Sequence, residues 1–156
     1  MRWLSLLVAP IVAASVSACE CHDAGLLRRG RAYVGLTIQT THSCAVVQAE
    51  ATRRASHANG WLDPHHGGTY TVVPASSLDH LRATRLTANG RWTDDLSLRF
   101  VNANAACVVH GCSTSRVLSV VDFSTNFCNL VNLVDGDVTV VNSSFAAGAD
   151  PAACRK

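Results

Sequence analysis

At 156 residues, with 48% apolar side chains, 7 His, and 13 Lys plus Arg against 11 Asp plus Glu, the chain has the size and balance of one globular domain. A formal charge of +2 supplies no electrostatic footprint for a phosphate backbone or an anionic membrane surface, so nucleic acid is not an expected partner. Lys156 is the only lysine, which removes any candidate for a Schiff base or for a phosphate-gripping G-K-[ST] loop.

Met1-Arg2 leads into an apolar stretch from Trp3 to Val16 that ends in the small residues Val16-Ser17-Ala18, the pattern of a secretory signal peptide over 1–18. The stretch is shorter than the roughly 20 residues a spanning helix needs, and no second one follows. The expected product is a soluble secreted chain, residues 19–156, without a transmembrane segment. Val16-Ser17-Ala18-Cys19 also resembles the lipobox of bacterial lipoproteins, and that resemblance implies an alternative in which Cys19 carries a lipid anchor.

In an exported chain the 7 cysteines read as a disulfide framework. Seven is odd, and Cys19 is the expected leftover because it falls at the extreme end of the processed chain. Cys21, Cys44, Cys107, Cys112, Cys128 and Cys154 then form three bridges. Their pairing stays open, except that Cys107 and Cys112 flank Val108-Val109-His110-Gly111, a span short enough to close as a turn. The C-x-C and C-x4-C spacings lack the C-x2-C knuckle of a thiolate zinc site.

Taken in chain order, Arg31–Ile38, Cys44–Gln48 and Thr69–Val73 read as short strands from their valine, threonine and alternating patterns. Between the last two lies His57–Gly68, a turn-rich connection with Asn59-Gly60, Asp63-Pro64 and Gly67-Gly68. Asn89-Gly90 predicts a type I′ hairpin. Its register places Thr87 opposite Trp92, Arg85 opposite Asp94, Ala83 opposite Leu96 and Leu81 opposite Leu98 on one largely apolar face. The other face is polar and solvated, and Arg85 with Asp94 is expected to form an exposed cross-strand ion pair.

Thr114–Val134 fits both a helical stripe and strands; strands are preferred because its β-branched residues and asparagines disfavour a helix interior. Asp137–Val141 completes the strand set, Asn142-Ser143-Ser144 is a glycosylation sequon on Asn142, and the tail from about 146 reads as loose. The predicted fold is all-β, a single antiparallel sheet domain, barrel or sandwich, stapled by disulfides.

The densest chemistry lies in the His57–Gly68 loop, where three imidazoles and a carboxylate fall close together. His57, Asp63, His65 and His66 are of the types a zinc-like divalent ion takes, although their spacing matches no defined motif and a solvated loop is the plainer reading. Trp61 adds an apolar body with one donor, the type favoured at binding hot spots. No G-x-S-x-G elbow is present. Asp94 and Asp95 fall on opposite faces of the hairpin and make no acid–base couple. The leading expectation is a binding module without a cofactor, using Trp61, His57, His65 and His66 to hold a small ligand or an extracellular protein. The alternative is a small metal-dependent hydrolytic enzyme built on the same loop.

Overall fold

The structure, a computed structural model, describes residues 30–74, 77–119, 122–134, 138–145 and 150–155; the expected signal peptide, Cys19 and Cys21 lie outside them. Its elements are β1 (Tyr33–Thr40), α1 (Cys44–Ala55), β2 (Thr69–Val72), β3 (His80–Leu86), β4 (Thr93–Ala103), β5 (Ala106–Ser115), α2 (Thr125–Val134) and β6 (Val138–Phe145). Short 3-10 turns add Ala58–Gly60 and Pro151–Arg155. The strands form one open sheet in the order β2-β3-β4-β5-β1-β6, every neighbouring pair antiparallel. The chain is therefore α+β, and the expected all-β barrel or sandwich is wrong: the sheet does not close, and helices cover one of its faces.

Alternation builds that covered face. In β1, Val34, Leu36 and Ile38 point inward and are buried, while Gly35, Thr37 and Gln39 point outward. Leu81, Leu96, Leu98, Phe100 and Val109 extend the inner face across β3, β4 and β5. Val47, Ala51 and Ala55 of α1 and Phe127, Leu130 and Leu133 of α2 close over it.

Both helices run through segments expected as strands. Val46-Val47 suggested a strand at Cys44–Gln48, but the following residues of the twelve-residue helix hold three alanines and Glu50, whose carboxylate takes Arg53 and Arg54 at 2.7 and 2.6 Å. Hydrogen bonds from Arg53, then from Arg54, hold the Glu50 carboxyl down at about 2. The buried positions Cys44, Val47, Ala51 and Ala55 recur at helical spacing. In α2 the side chains of Asn126, Asn129 and Asn132 find partners elsewhere in the fold, so they do not compete for the helix backbone as local propensity assumes.

Two disulfides fix these helices. Cys44 at the start of α1 is bonded to Cys107 at the start of β5, and Cys128 of α2 to Cys154 of the C-terminal turn. The proposed Cys107–Cys112 turn is thereby overturned. β5 runs straight through both residues, and an odd separation in a strand puts them on opposite faces. Cys112 is buried with Tyr33 on the outer face and is also disulfide-bonded, its partner lying outside the described residues. Pro151–Arg155, in the tail expected to be loose, is ordered as a turn with Cys154 buried.

The β3–β4 register is the one expected, with Arg85 opposite Asp94, Ala83 opposite Leu96 and Leu81 opposite Leu98. The turn itself differs. Thr87 N–H donates to the Trp92 carbonyl at 3.0 Å and Gly90 N–H to the Thr87 carbonyl at 2.8 Å. Only Gly90 of the Asn89-Gly90 pair is left-handed, at φ 69°, so the turn is not type I′. The expectation of an exposed ion pair also fails, because Arg85 and Asp94 lie on the covered face and are 1% and 2% exposed.

Candidate functional site

One half of the inner face is polar. Asn126, Asn129 and Asn132 recur every three residues and form a stripe on α2 that faces Asp94 of β4 and Ser113 and Ser115 of β5. Asn129 Nδ2 donates to Asp94 Oδ2 at 2.9 Å and to Ser113 Oγ at 3.1 Å. Asn126 Nδ2 donates to Ser115 Oγ at 3.1 Å and to Asp122 Oδ1 at 3.0 Å, and Ser115 Oγ donates to Asp94 Oδ1 at 2.8 Å. Asn132 Nδ2 reaches Asp63 Oδ1 at 3.0 Å and the Cys154 carbonyl at 3.2 Å.

The His57–Gly68 loop plugs the far end of this network. Asp63 Oδ2 accepts from Arg85 Nε and Nη2 at 2.8 and 2.7 Å, and the His65 carbonyl accepts from Arg85 Nη2 at 2.6 Å. Asp63 Oδ1 also accepts from His65 N–H at 3.1 Å. Gly68 is needed here for space: a Cβ would run into the Arg85 guanidinium. Arg85 Nη1 and Asn129 Oδ1 are buried without a hydrogen-bond partner.

The residues singled out in this loop therefore have structural neighbours. His57 Nε2 accepts from Tyr70 N–H at 2.8 Å, which leaves Nδ1–H to donate to the Trp61 carbonyl at 3.2 Å. His65 Nδ1–H donates to the Ala153 carbonyl at 2.8 Å and Nε2 faces Thr125 Oγ1 at 3.4 Å. Burial, above all, holds its pKa below the ordinary histidine range. His66 is exposed beside it, ring centroids 4.3 Å apart. Trp61 is half-buried against the core, with its ring 5.9 Å from Tyr70 and the Arg54 guanidinium 5.9 Å above it. Among the described residues no group of three or more His, Cys, Asp or Glu is placed to hold a metal ion. Asn142 is on β6, its backbone opposite Thr37.

The structure instead brings together residues that the sequence reading left apart. A pocket of about 190 Å³ opens where the β3–β4 turn, the end of β5 and the segment before α2 converge. Thr87, Trp92, Val117, Leu118 and Phe123 form its upper walls, and Asp94, Ser115, Asp122 and Thr125 lie lower. Trp92, Leu118 and Phe123 are 48%, 76% and 80% exposed, an apolar rim that folding leaves in water. Asp94 and Asp122 are both buried, and neither has an Arg, Lys or His within ion-pair distance among the described residues. Burial pushes the Asp122 carboxyl up to about 7, and the Asp94 charge adds to this against the hydrogen bonds from Asn126 and the weaker pull of Arg85.

Backbone strain falls at the same place. Phe123 and Ser124, consecutive and neither of them glycine, take φ 47° and 64°. They are held by a turn from Thr125 N–H to the Asp122 carbonyl at 2.8 Å and by Asp150 N–H donating to Ser124 Oγ at 2.8 Å. This conformation turns Phe123 outward to the rim while Asp122 stays in the floor. Two signals for the site were present in the sequence: the three-residue spacing of the asparagines, and Asp94 on the covered face of a correctly registered hairpin. The meeting of Asp122 with Asp94 depends on α2 crossing the sheet, which local pattern does not encode. The chain matches no family model, no curated protein and no solved structure.

Proposed function

We propose that this disulfide-stabilised α+β domain is a ligand-binding module and that its site is the pocket bounded by Trp92, Leu118, Phe123, Asp94 and Asp122. The observation that carries the reading is an exposed apolar rim around a concave floor of buried carboxylates. Recognition sites combine these two features: apolar walls supply affinity and a few placed polar groups supply orientation. Strain at Phe123-Ser124 supports it, since such conformations cost about 1–3 kcal/mol each and cluster where a ligand repays them. The His57–Gly68 loop then serves as a buttress, with His65 against Thr125 of the pocket wall.

A thermal-shift screen of the oxidised protein with a library of small fragments tests this. Stabilising fragments should lose their effect in Trp92→Ala and Leu118→Ser and keep it in His66→Ala. A screen without hits, or hits that depend on His66 and ignore Trp92, would remove the pocket from consideration.

A further inference from the structure

We infer that the ligand of this pocket is an organic monocation, an amine carrying an apolar body about the size of one aromatic ring. The inference rests on the pocket reading above and adds the chemical class of the guest.

Hydrogen-bond bookkeeping in the floor gives the class. The donors closest to the carboxylates are already committed: Ser115 Oγ donates to Asp94, Asn129 Nδ2 to Asp94 and Ser113, and Asn126 donates to Asp122 through both its backbone N–H and its Nδ2. Thr87 Oγ donates to Asn89 Oδ1 at 2.8 Å. What remains is acceptor capacity on Asp94 and Asp122, because an ionised carboxylate takes about four hydrogen bonds. A guest must therefore bring donors, and an ammonium group brings three with no acceptor to satisfy.

Charge points the same way. Among the described residues, the one guanidinium on the covered face near these carboxylates, Arg85, is bound to Asp63, and the side chains of β5 and α2 that face them, Ser113, Ser115, Asn126 and Asn129, are uncharged. A bare metal ion is a poor fit, since two carboxylates alone give too few oxygen ligands and the walls above them are apolar. Trp92 and Phe123 offer aromatic faces at the mouth, where a cation or its apolar stem is stabilised. The volume sets the size: a cavity of ~150 Å³ accepts benzene, so about 190 Å³ takes a ring and a short aminoalkyl arm.

Calorimetry and tryptophan fluorescence on the wild-type protein, with Trp92→Phe separating the Trp92 signal from that of Trp61, test the class directly with phenethylamine, its neutral isostere phenethyl alcohol and the anion 3-phenylpropionate. Phenethylamine should bind about tenfold or more tightly than the alcohol, the anion more weakly than both, and amine affinity should rise several-fold from pH 6 to pH 8 as Asp122 ionises. Asp94→Asn should weaken the amine several-fold more than it weakens the alcohol. A blocked lysine amide that binds better than phenethylamine keeps cation recognition and assigns its source to a polypeptide side chain. Equal binding of amine and alcohol, each quenching Trp92, overturns the cation class and leaves the pocket standing. Binding by none of the probes at millimolar concentration overturns the class as well, and the fragment screen decides the pocket independently.

Discussion

Asp122 is an acid whose folded-state pKa lies near 7, well above its ordinary value of 3.8, and that displacement has a consequence for stability. Between about pH 4 and pH 7 the native state holds a proton that the unfolded chain has released, so this group's contribution falls as pH rises through that window and levels off above it. The displacement corresponds to up to about 4 kcal/mol. Urea unfolding of wild type and Asp122→Asn at pH 4.5, 6 and 8 should show the variant gaining on wild type as pH rises; parallel profiles would place the Asp122 proton elsewhere. Arg85 and Asp63 form a buried ion pair, with the Arg85 Nε and Nη2 both on Asp63 Oδ2. Asp63→Asn should cost about 3–5 kcal/mol or abolish folding, the usual price of leaving one buried charge uncompensated. Phe123 separates stability from binding: Phe123→Gly relieves a left-handed φ of 47° on an exposed residue, so stability should hold or rise by about 1 kcal/mol while fragment binding at the rim is lost.

At the scale of elements, the hairpin register was readable because side-chain period 2 and the apolar pattern admit one pairing from Leu81–Leu98 through Thr87–Trp92. Its environment was not readable, since nothing local announces that Arg85 and Asp94 will lie under a helix. The helices were missed for related reasons. A five-residue window at Cys44 weighs two valines against the alanines that follow. The asparagines of α2 oppose a helix only until Asp94, Asp122 and Asp63 take up their amides. The cysteines were readable as a framework, whereas their pairing depends on which strand ends meet which helix. Loop-closure entropy gives the two placed bridges comparable weight, about 4 kcal/mol for the 63-residue separation of Cys44–Cys107 and about 3.5 kcal/mol for the 26 residues of Cys128–Cys154. Double alanine replacement at either pair, followed by denaturant unfolding, should show losses of that order; a loss below about 1 kcal/mol would put the stabilisation in packing. With four of the six expected partners placed and Cys112 bonded outside the described residues, non-reducing peptide mapping should recover Cys21 linked to Cys112. Recovery of Cys19–Cys112 instead would leave Cys21 as the odd thiol.

For the molecule as a whole, two disulfides indicate an oxidising, extracellular environment, and no helix among the described residues is long and apolar enough to cross a membrane. The open sheet is stapled at both helices and carries its polar network on the covered side. The pocket sits where the α2–sheet interface reaches solvent. Amide and methyl NMR shift mapping with any fragment that stabilises the protein tests this arrangement most directly. The account predicts perturbations confined to Thr87–Trp92, Ser115–Ser119 and Asp122–Thr125, converging on Asp94. Perturbations confined to His57–Gly68, or to the outer face around His80, Arg82 and Arg99, would contradict it.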